Sequence, residues 1–280
     1  MQHPIQIWRW VFWLAACLTA AFVYKNSIDT LGPPQKNTAA DRLRVILPES
    51  AQIFLAGGDS HLAANLGVFR AVTLTTGSVD SDTIQTLARI QVSAARLNPY
   101  SGDNYYIAQA VLPWQGEVTA ANELLGVSAK ARRWDYMPGF FLAFNQQYFL
   151  RQPRLAIATL NNYAIPRAPT QNHAAFQAMI SKWLEQGETP EAAKALLMQM
   201  YKSTSHPQLK KILFARITRL DGLITIQNAC TTYRVRYGAA PKDLSDLLES
   251  GVLQEIPNDP FKIGYQINAE GQAEFIYRRN

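Results

Sequence analysis

Cysteine is nearly absent from this 280-residue chain, which has only Cys17 and Cys230. Cys17 lies inside an apolar run, so Cys230 has no partner in the rest of the chain; this excludes a disulfide framework and a cysteine-based metal site. Histidine is scarce as well. His61, His173 and His206 are scattered through the body, His3 stands near the start, and none belongs to a His-x-x-Glu or Glu-x-x-His pair. That pattern predicts no metal centre. No glycine-rich phosphate loop occurs, so the sequence implies no cofactor. Charged residues are few, 17% against 48% apolar, a globular balance rather than a disordered one.

What is present begins with an apolar run, Trp10 to Tyr24, preceded by Arg9. A cleaved signal would need a small-x-small site beyond the apolar core, but the only such pair, Thr19 and Ala21, lies inside it. "LAAC", Leu14 to Cys17, has the form of a lipoprotein box, yet apolar residues continue after the cysteine. The reading that remains is a retained membrane anchor over residues 1–25. Arg9 then snorkels to the headgroups, and Trp8, Trp10, Trp13 and Tyr24 mark the interfaces. Lys25, Lys36, Arg42 and Arg44 follow the run and taken alone favour a cytoplasmic body, but long domains translocate largely regardless of such charges.

Residues 26–44 form a proline-containing polar linker that lets the body stand off the membrane. Basic excess is local: from Arg151 to Asp221 there are 10 Lys or Arg against 4 Asp or Glu, while the flanking segments are close to balanced. Such a stripe suits an acidic protein, a lipid surface or simple solvation. It carries no nucleic-acid motif and no interleaved aromatics, so no nucleic acid is expected as partner.

Over 45–221 the apolar spacing is helical almost throughout. "SDTIQTLARIQVSAARLN" puts Ile84, Leu87, Ile90 and Ala94 on one face. Asp103 reads as the N-cap of the next helix, and a further helix runs from Glu117 to a break at Pro138-Gly139. Two amphipathic helices joined by "EQGETP" follow, with Ala192, Ala193 and Ala195 small enough for close approach and Pro207 ending the pair. This resembles the tetratricopeptide repeat family, which implies an α-solenoid of helical hairpins. The period is irregular, with 36 residues from Ala120 to Ala156 and 28 from Pro138 to Pro166.

An enzyme reading rests on "IFLAGGDSHLAAN", taken as a strand followed by Gly-Asp-Ser, which resembles the first block of GDSL-type esterases and implies Ser60 as nucleophile. That chemistry needs a histidine held by a carboxylate, which the family carries as Asp-x-x-His, and no histidine here has an Asp three residues before it. Asp59 or Ser60 as a helix cap is the simpler reading, and the chain is read as non-enzymatic. Asp103, Glu117, Glu123 and Asp135 are dispersed carboxylates. Trp114, Arg132, Arg133, Trp134 and Tyr136 are candidate partner-binding residues, because Trp, Tyr and Arg dominate interface hot spots; repeat packing uses the same residue types.

From 222 to 280 a distinct module is expected. A helix begun near Leu209 ends at Gly238, Pro241 opens a short helix with Leu244 and Leu247 inward, and Val252, Leu253 and Ile256 pack. Asn258-Asp259-Pro260 turns the chain, Phe261 enters the small core, and "KIGYQI" and "AEFIY" form a hairpin. Tyr237, Gly238, Pro241, Leu244, Leu247, Gly251, Leu253, Pro257, Asp259, Pro260, Phe261 and Tyr265 follow a pattern that resembles the C-terminal modules of type II secretion pseudopilins. The Gly-Phe cleavage junction of those subunits, and the glutamate after it, are missing here, so the chain is not expected to be a filament subunit. The resemblance implies a periplasm-facing body and protein partners in the cell envelope. The fold expected is therefore mainly α, with an N-terminal membrane helix, a helical-hairpin body and a small C-terminal α+β module. The function these resemblances imply is that of an inner-membrane scaffold or assembly protein of a bacterial envelope machine, related to secretion or pili, the alternative being an accessory subunit of a membrane enzyme complex.

Overall fold

The computed structural model describes residues 13, 15–23, 25–26, 45–75 and 80–276, and the described chain is mainly α. Trp8, Arg9, Trp10 and Tyr24 of the expected anchor lie outside the described residues; Trp13 and residues 15–23 are helical and exposed. Among the described residues no helix is long and apolar enough to cross a membrane.

The body opens with α1, Glu49–Leu55, which runs up to Gly57 and Gly58 at φ +68° and +92°. The stretch before Gly-Asp-Ser is thus helix and not the expected strand. Its apolar run is too short for periodicity to decide, and Glu49 behind Pro48 gives it an acidic first turn. Helix α2, Ser60–Thr75, is capped by Asp59, whose Oδ1 accepts from the amides of His61 at 2.8 Å and Leu62 at 3.1 Å. Helix α3, Ser81–Leu97, is capped by Asp80 and buries Ile84, Leu87, Ile90 and Ala94 together, as their spacing predicts.

Helix α4, Gly102–Val111, is capped by Ser101 rather than Asp103, which sits exposed in the first turn. A carboxylate there still favours the positive end of the helix. Helix α5, Val118–Ala131, ends well before Pro138. The break comes early because the Asp135 carboxylate accepts the Met137 amide at 2.9 Å. This starts α6, Met137–Tyr148, with Pro138 in its first turn, where a missing N–H costs nothing. Helix α7, Pro153–Thr159, relaxes into a π-turn and a 3₁₀ turn up to Arg167.

Helices α8, Thr170–Gly187, and α9, Pro190–Ser203, are the pair joined by "EQGETP". Of their three expected contact alanines only Ala193 is buried. Pro207 opens α10, Pro207–Tyr237, instead of closing that pair, and Gly238 ends α10 at φ +69°. Helix α11, Leu244–Glu249, begins behind Asp243, two residues after Pro241. Strands β1, Tyr265–Ile267, and β2, Ala273–Phe275, pair antiparallel with Tyr265 opposite Phe275.

Successive helices pack on one another, α2 on α3, α3 on α5, α5 on α6, α6 on α7 and α9 on α10. One apolar cluster joins Ala56, Ala63, Ala64 and Val68 to Ala94 and Leu97, and a second centres on Leu87, Tyr105, Leu112, Leu124 and Leu125. The third runs without interruption from Ala143 through Leu213 and Leu220 to Leu247, Tyr265 and Phe275. The boundary expected at 221/222 falls inside α10, and this cluster lies across it.

Candidate functional site

Helices α3 and α5 are joined at their C-terminal ends by one arginine. The Arg132 Nε donates to Asp135 Oδ2 at 2.9 Å, its Nη1 donates to the Tyr100 carbonyl, and its guanidinium lies 5.5 Å from the Tyr105 ring centre and 5.3 Å from that of Trp134. The buried Tyr105 donates its hydroxyl to Asp135 Oδ2 at 2.8 Å. Burial pushes the Asp135 carboxyl up, but the Met137 amide, the Tyr105 hydroxyl and the Arg132 guanidinium outweigh it and hold the group below its usual value. Burial pushes the Tyr105 hydroxyl up, so it remains a donor.

This brace turns Trp134 outward. The indole is 64% exposed and stacks on exposed Tyr100, centroids 5.9 Å apart and planes 9° apart. Arg133 beside it is exposed. Tyr136 packs edge-on against Phe176 at 6.0 Å and accepts from Asn172, which places it in the seam between α6 and α8. Trp114 precedes α5 as Trp134 follows it, so the two exposed indoles stand at opposite ends of that helix, about 21 Å of helical rise apart. Trp114 belongs to a separate cluster with Tyr148 at 5.7 Å and Phe149 at 5.0 Å. The five candidates therefore line no single groove: one is a brace, one lies in a seam, and the remaining three divide between two patches.

A groove that sequence reasoning missed shares α3 and α5. It has a volume of about 810 Å³ and is lined by Glu49, Gln85, Arg89, Ser93, Arg96 and Glu123 among others. Arg96 closes it, reaching Glu123 at 2.5 Å and Glu49 at 3.5 Å. Glu123, read as a dispersed carboxylate, belongs to this clamp. No signal in the sequence links it to Glu49, because the three residues come from separate helices.

Ser60, the nucleophile of the esterase reading, is the first residue of α2, and Asp59, His173 and His206 serve as caps and loop ties. Asp59 caps α2, the His206 Nδ1 accepts the Leu209 amide at 3.3 Å, and His173 Nε2 lies 3.1 Å from the Ala168 carbonyl. No group of three or more His, Cys, Asp or Glu converges as a metal site among the described residues.

In the C-terminal segment Asp259 is buried and accepts amides from Phe261 at 2.9 Å, Ile263 at 3.1 Å and Gly264 at 2.8 Å, the turn role expected of it. It also faces Arg219 of α10 at 3.4 Å, while Arg216 pairs with Glu185 of α8, whose side chain is 4% exposed. Phe261 does not enter the core. It is 36% exposed and lies under the two cations, with Arg216 at 5.3 Å and Arg219 at 5.7 Å from its centroid. Phe275 fills the inner place instead, 4.1 Å from Arg219. Pro260 and Ile256 are exposed as well, so of the three residues expected to pack, Ile256 does not.

The geometry defines a protein of packed helix pairs that displays aromatic side chains at helix ends. Compared with protein-family models, curated proteins and solved structures, the chain matches none.

Proposed function

We propose that this chain is a non-enzymatic helical scaffold that holds or orders components of a bacterial envelope machine, related to secretion or pili. Residues 1–25 anchor it to the inner membrane and the body faces the periplasm. Tetratricopeptide-like pairing and the pseudopilin-like C-terminal pattern support this reading. The observation that carries it is the Arg132–Asp135 brace, whose charges are spent internally while the stacked Tyr100 and Trp134 are held in solvent. A rigid exposed aromatic beside arginine is the chemistry of an interface hot spot.

The test is affinity purification of the full chain from detergent-solubilised membranes. Trp134→Ala should lose its envelope partners, with binding weakened by about 2 kcal/mol or more, while the melting temperature stays that of the wild type. Retention of every partner would sink the proposed surface. A reporter fused after Asn280 that is active in the cytoplasm would overturn the topology.

A further inference from the structure

The outer side of α2 is unusual for a solvated helix. Its exposed residues include Leu62, Leu66 and Phe69, and none of its exposed residues is Asp, Glu, Lys or Arg. Its inner side is already apolar, with Ala63, Ala64, Val68, Ala71 and Leu74 buried. His61, Asn65 and Thr73 share the exposed side and Arg70 is half-buried, so the uncovered apolar part of α2 is a stripe and not its whole circumference. Helix α1 adds Phe54, 81% exposed, and Leu55, and Phe69 is 72% exposed. Nothing among the described residues covers these side chains. Leu62, Leu66 and Phe69 follow the spacing of one side of α2, and exposed apolar area of this kind marks an interaction surface.

Where the chain enters the body identifies the occupant. The Val45 carbonyl accepts a hydrogen bond from Arg70 of α2, so the segment arriving from the apolar N-terminal run meets the body on this very helix. Between that run and Val45 lie residues 25–44, which even fully stretched span about 70 Å. The face is thus tethered near whatever receives the N-terminal run. A lipid surface takes up apolar area without specific charge pairs, and the tether keeps one close to this helix, where exposed Asp59 lies at its start and Arg70 is turned to the Val45 carbonyl.

We propose that the α1–α2 face, through Phe54, Leu55, Leu62, Leu66 and Phe69, lies against the bilayer that holds the N-terminal run. The body then rests on the membrane rather than standing off it. This rests on the anchored reading above, but the two are separable by experiment. With no charged side chain on the exposed face of α2, adsorption follows apolar area and not lipid charge, so zwitterionic lipid suffices.

The full-length chain, with Cys17 and Cys230 replaced by Ser and Ala, is reconstituted in phosphatidylcholine vesicles with a nitroxide on Phe69→Cys, on Phe54→Cys or, as control, on Thr218→Cys of α10. The Phe69 and Phe54 labels should collide with oxygen more than with a water-soluble nickel complex, and the Thr218 label should show the reverse. Adding phosphatidylglycerol should leave all three unchanged. Labels at both phenylalanines that favour nickel overturn the proposal, whether or not the chain resists carbonate. Spin–spin broadening at Phe69 that unlabelled chain dilutes away assigns the face to a second copy and overturns it too. Carbonate extraction of a chain whose labels had reported lipid overturns the anchor and leaves this contact standing.

Discussion

At the scale of single residues, Asp259 and Phe261 exchange the weights that their order in the sequence suggests. Asp259 satisfies three amides and faces Arg219 in a buried setting, so Asp259→Asn leaves an arginine charge without its counter-ion. The expected cost is about 3–5 kcal/mol. Phe261→Ala removes a half-covered ring from beneath two guanidinium groups and should cost about 1–2 kcal/mol. Urea unfolding of the two variants checks the order, and a larger loss for Phe261→Ala would contradict it. The pH dependence follows from the same groups. Burial raises the Asp259 carboxyl, but the Gly264, Phe261 and Ile263 amides and Arg219 outweigh it, so its folded value lies below the ordinary one. Its stabilisation is therefore present above the unfolded value, about 3.9, and is lost as pH falls through the folded one. Glu185 acts in the opposite sense: burial raises it despite Arg216 and Arg219, so its contribution is present at low pH and lost as pH rises through its folded value. Asp259→Asn should accordingly flatten the acid-side loss of stability, read as urea midpoints between pH 5 and 2. The turn carboxylate was legible because Asp before Pro has a local role. The outward place of Phe261 was not, because it depends on two arginines more than 40 positions earlier in the chain.

At the scale of elements, the contact between α10 and the hairpin turns on Gly222. A Cβ there would stand 2.2 Å from the Tyr265 hydroxyl and 3.0 Å from Pro257. The Tyr265 hydroxyl donates to the Arg219 carbonyl at 3.1 Å, and burial pushes it up to about 12, so it stays a donor at neutral pH. Helix propensity alone says that Gly222→Ala should stabilise by about 1 kcal/mol. The clash reverses the sign, and a net loss of about 1–3 kcal/mol is expected. Calorimetry of Gly222→Ala decides between them, since a rise in Tm would mean that the hairpin does not pack on α10. Helix α3 was readable because its apolar residues keep the 3–4 spacing of one helix face. The end of α5 was not, since Pro138 is the strongest breaker in the string but the Asp135 side chain, three residues earlier, starts the next helix. The same limit hid the groove, whose Glu49, Arg96 and Glu123 meet only after three helices have packed.

At the scale of the whole molecule, the apolar cluster that runs from Ala143 to Phe275 leaves the described residues after Gly238, 239–276, no core of their own. Ending the chain after Gly238 should therefore do more than remove a module. It uncovers Leu223 and Ile226 on α10, and the helices from α6 onward should lose protection from amide exchange along with it. Wild-type exchange in α8 and α9 of the truncated chain would show that the C-terminal segment folds separately after all. Helical class and the small C-terminal β-hairpin were visible in the string because both are local. That residues 222–276 share one interior with the body was not, because α10 looks the same whether one or two sides are covered. Its 31 residues also set a schedule for synthesis. Arg216 and Asp221, which pair with Glu185 of α8 and Lys194 of α9, find their partners already made, while Arg219 and Gln227 wait for Asp259, Tyr265 and Ala273. At about 5–20 residues per second that wait lasts seconds. During it the newest helix is an incomplete surface that a chaperone has time to hold.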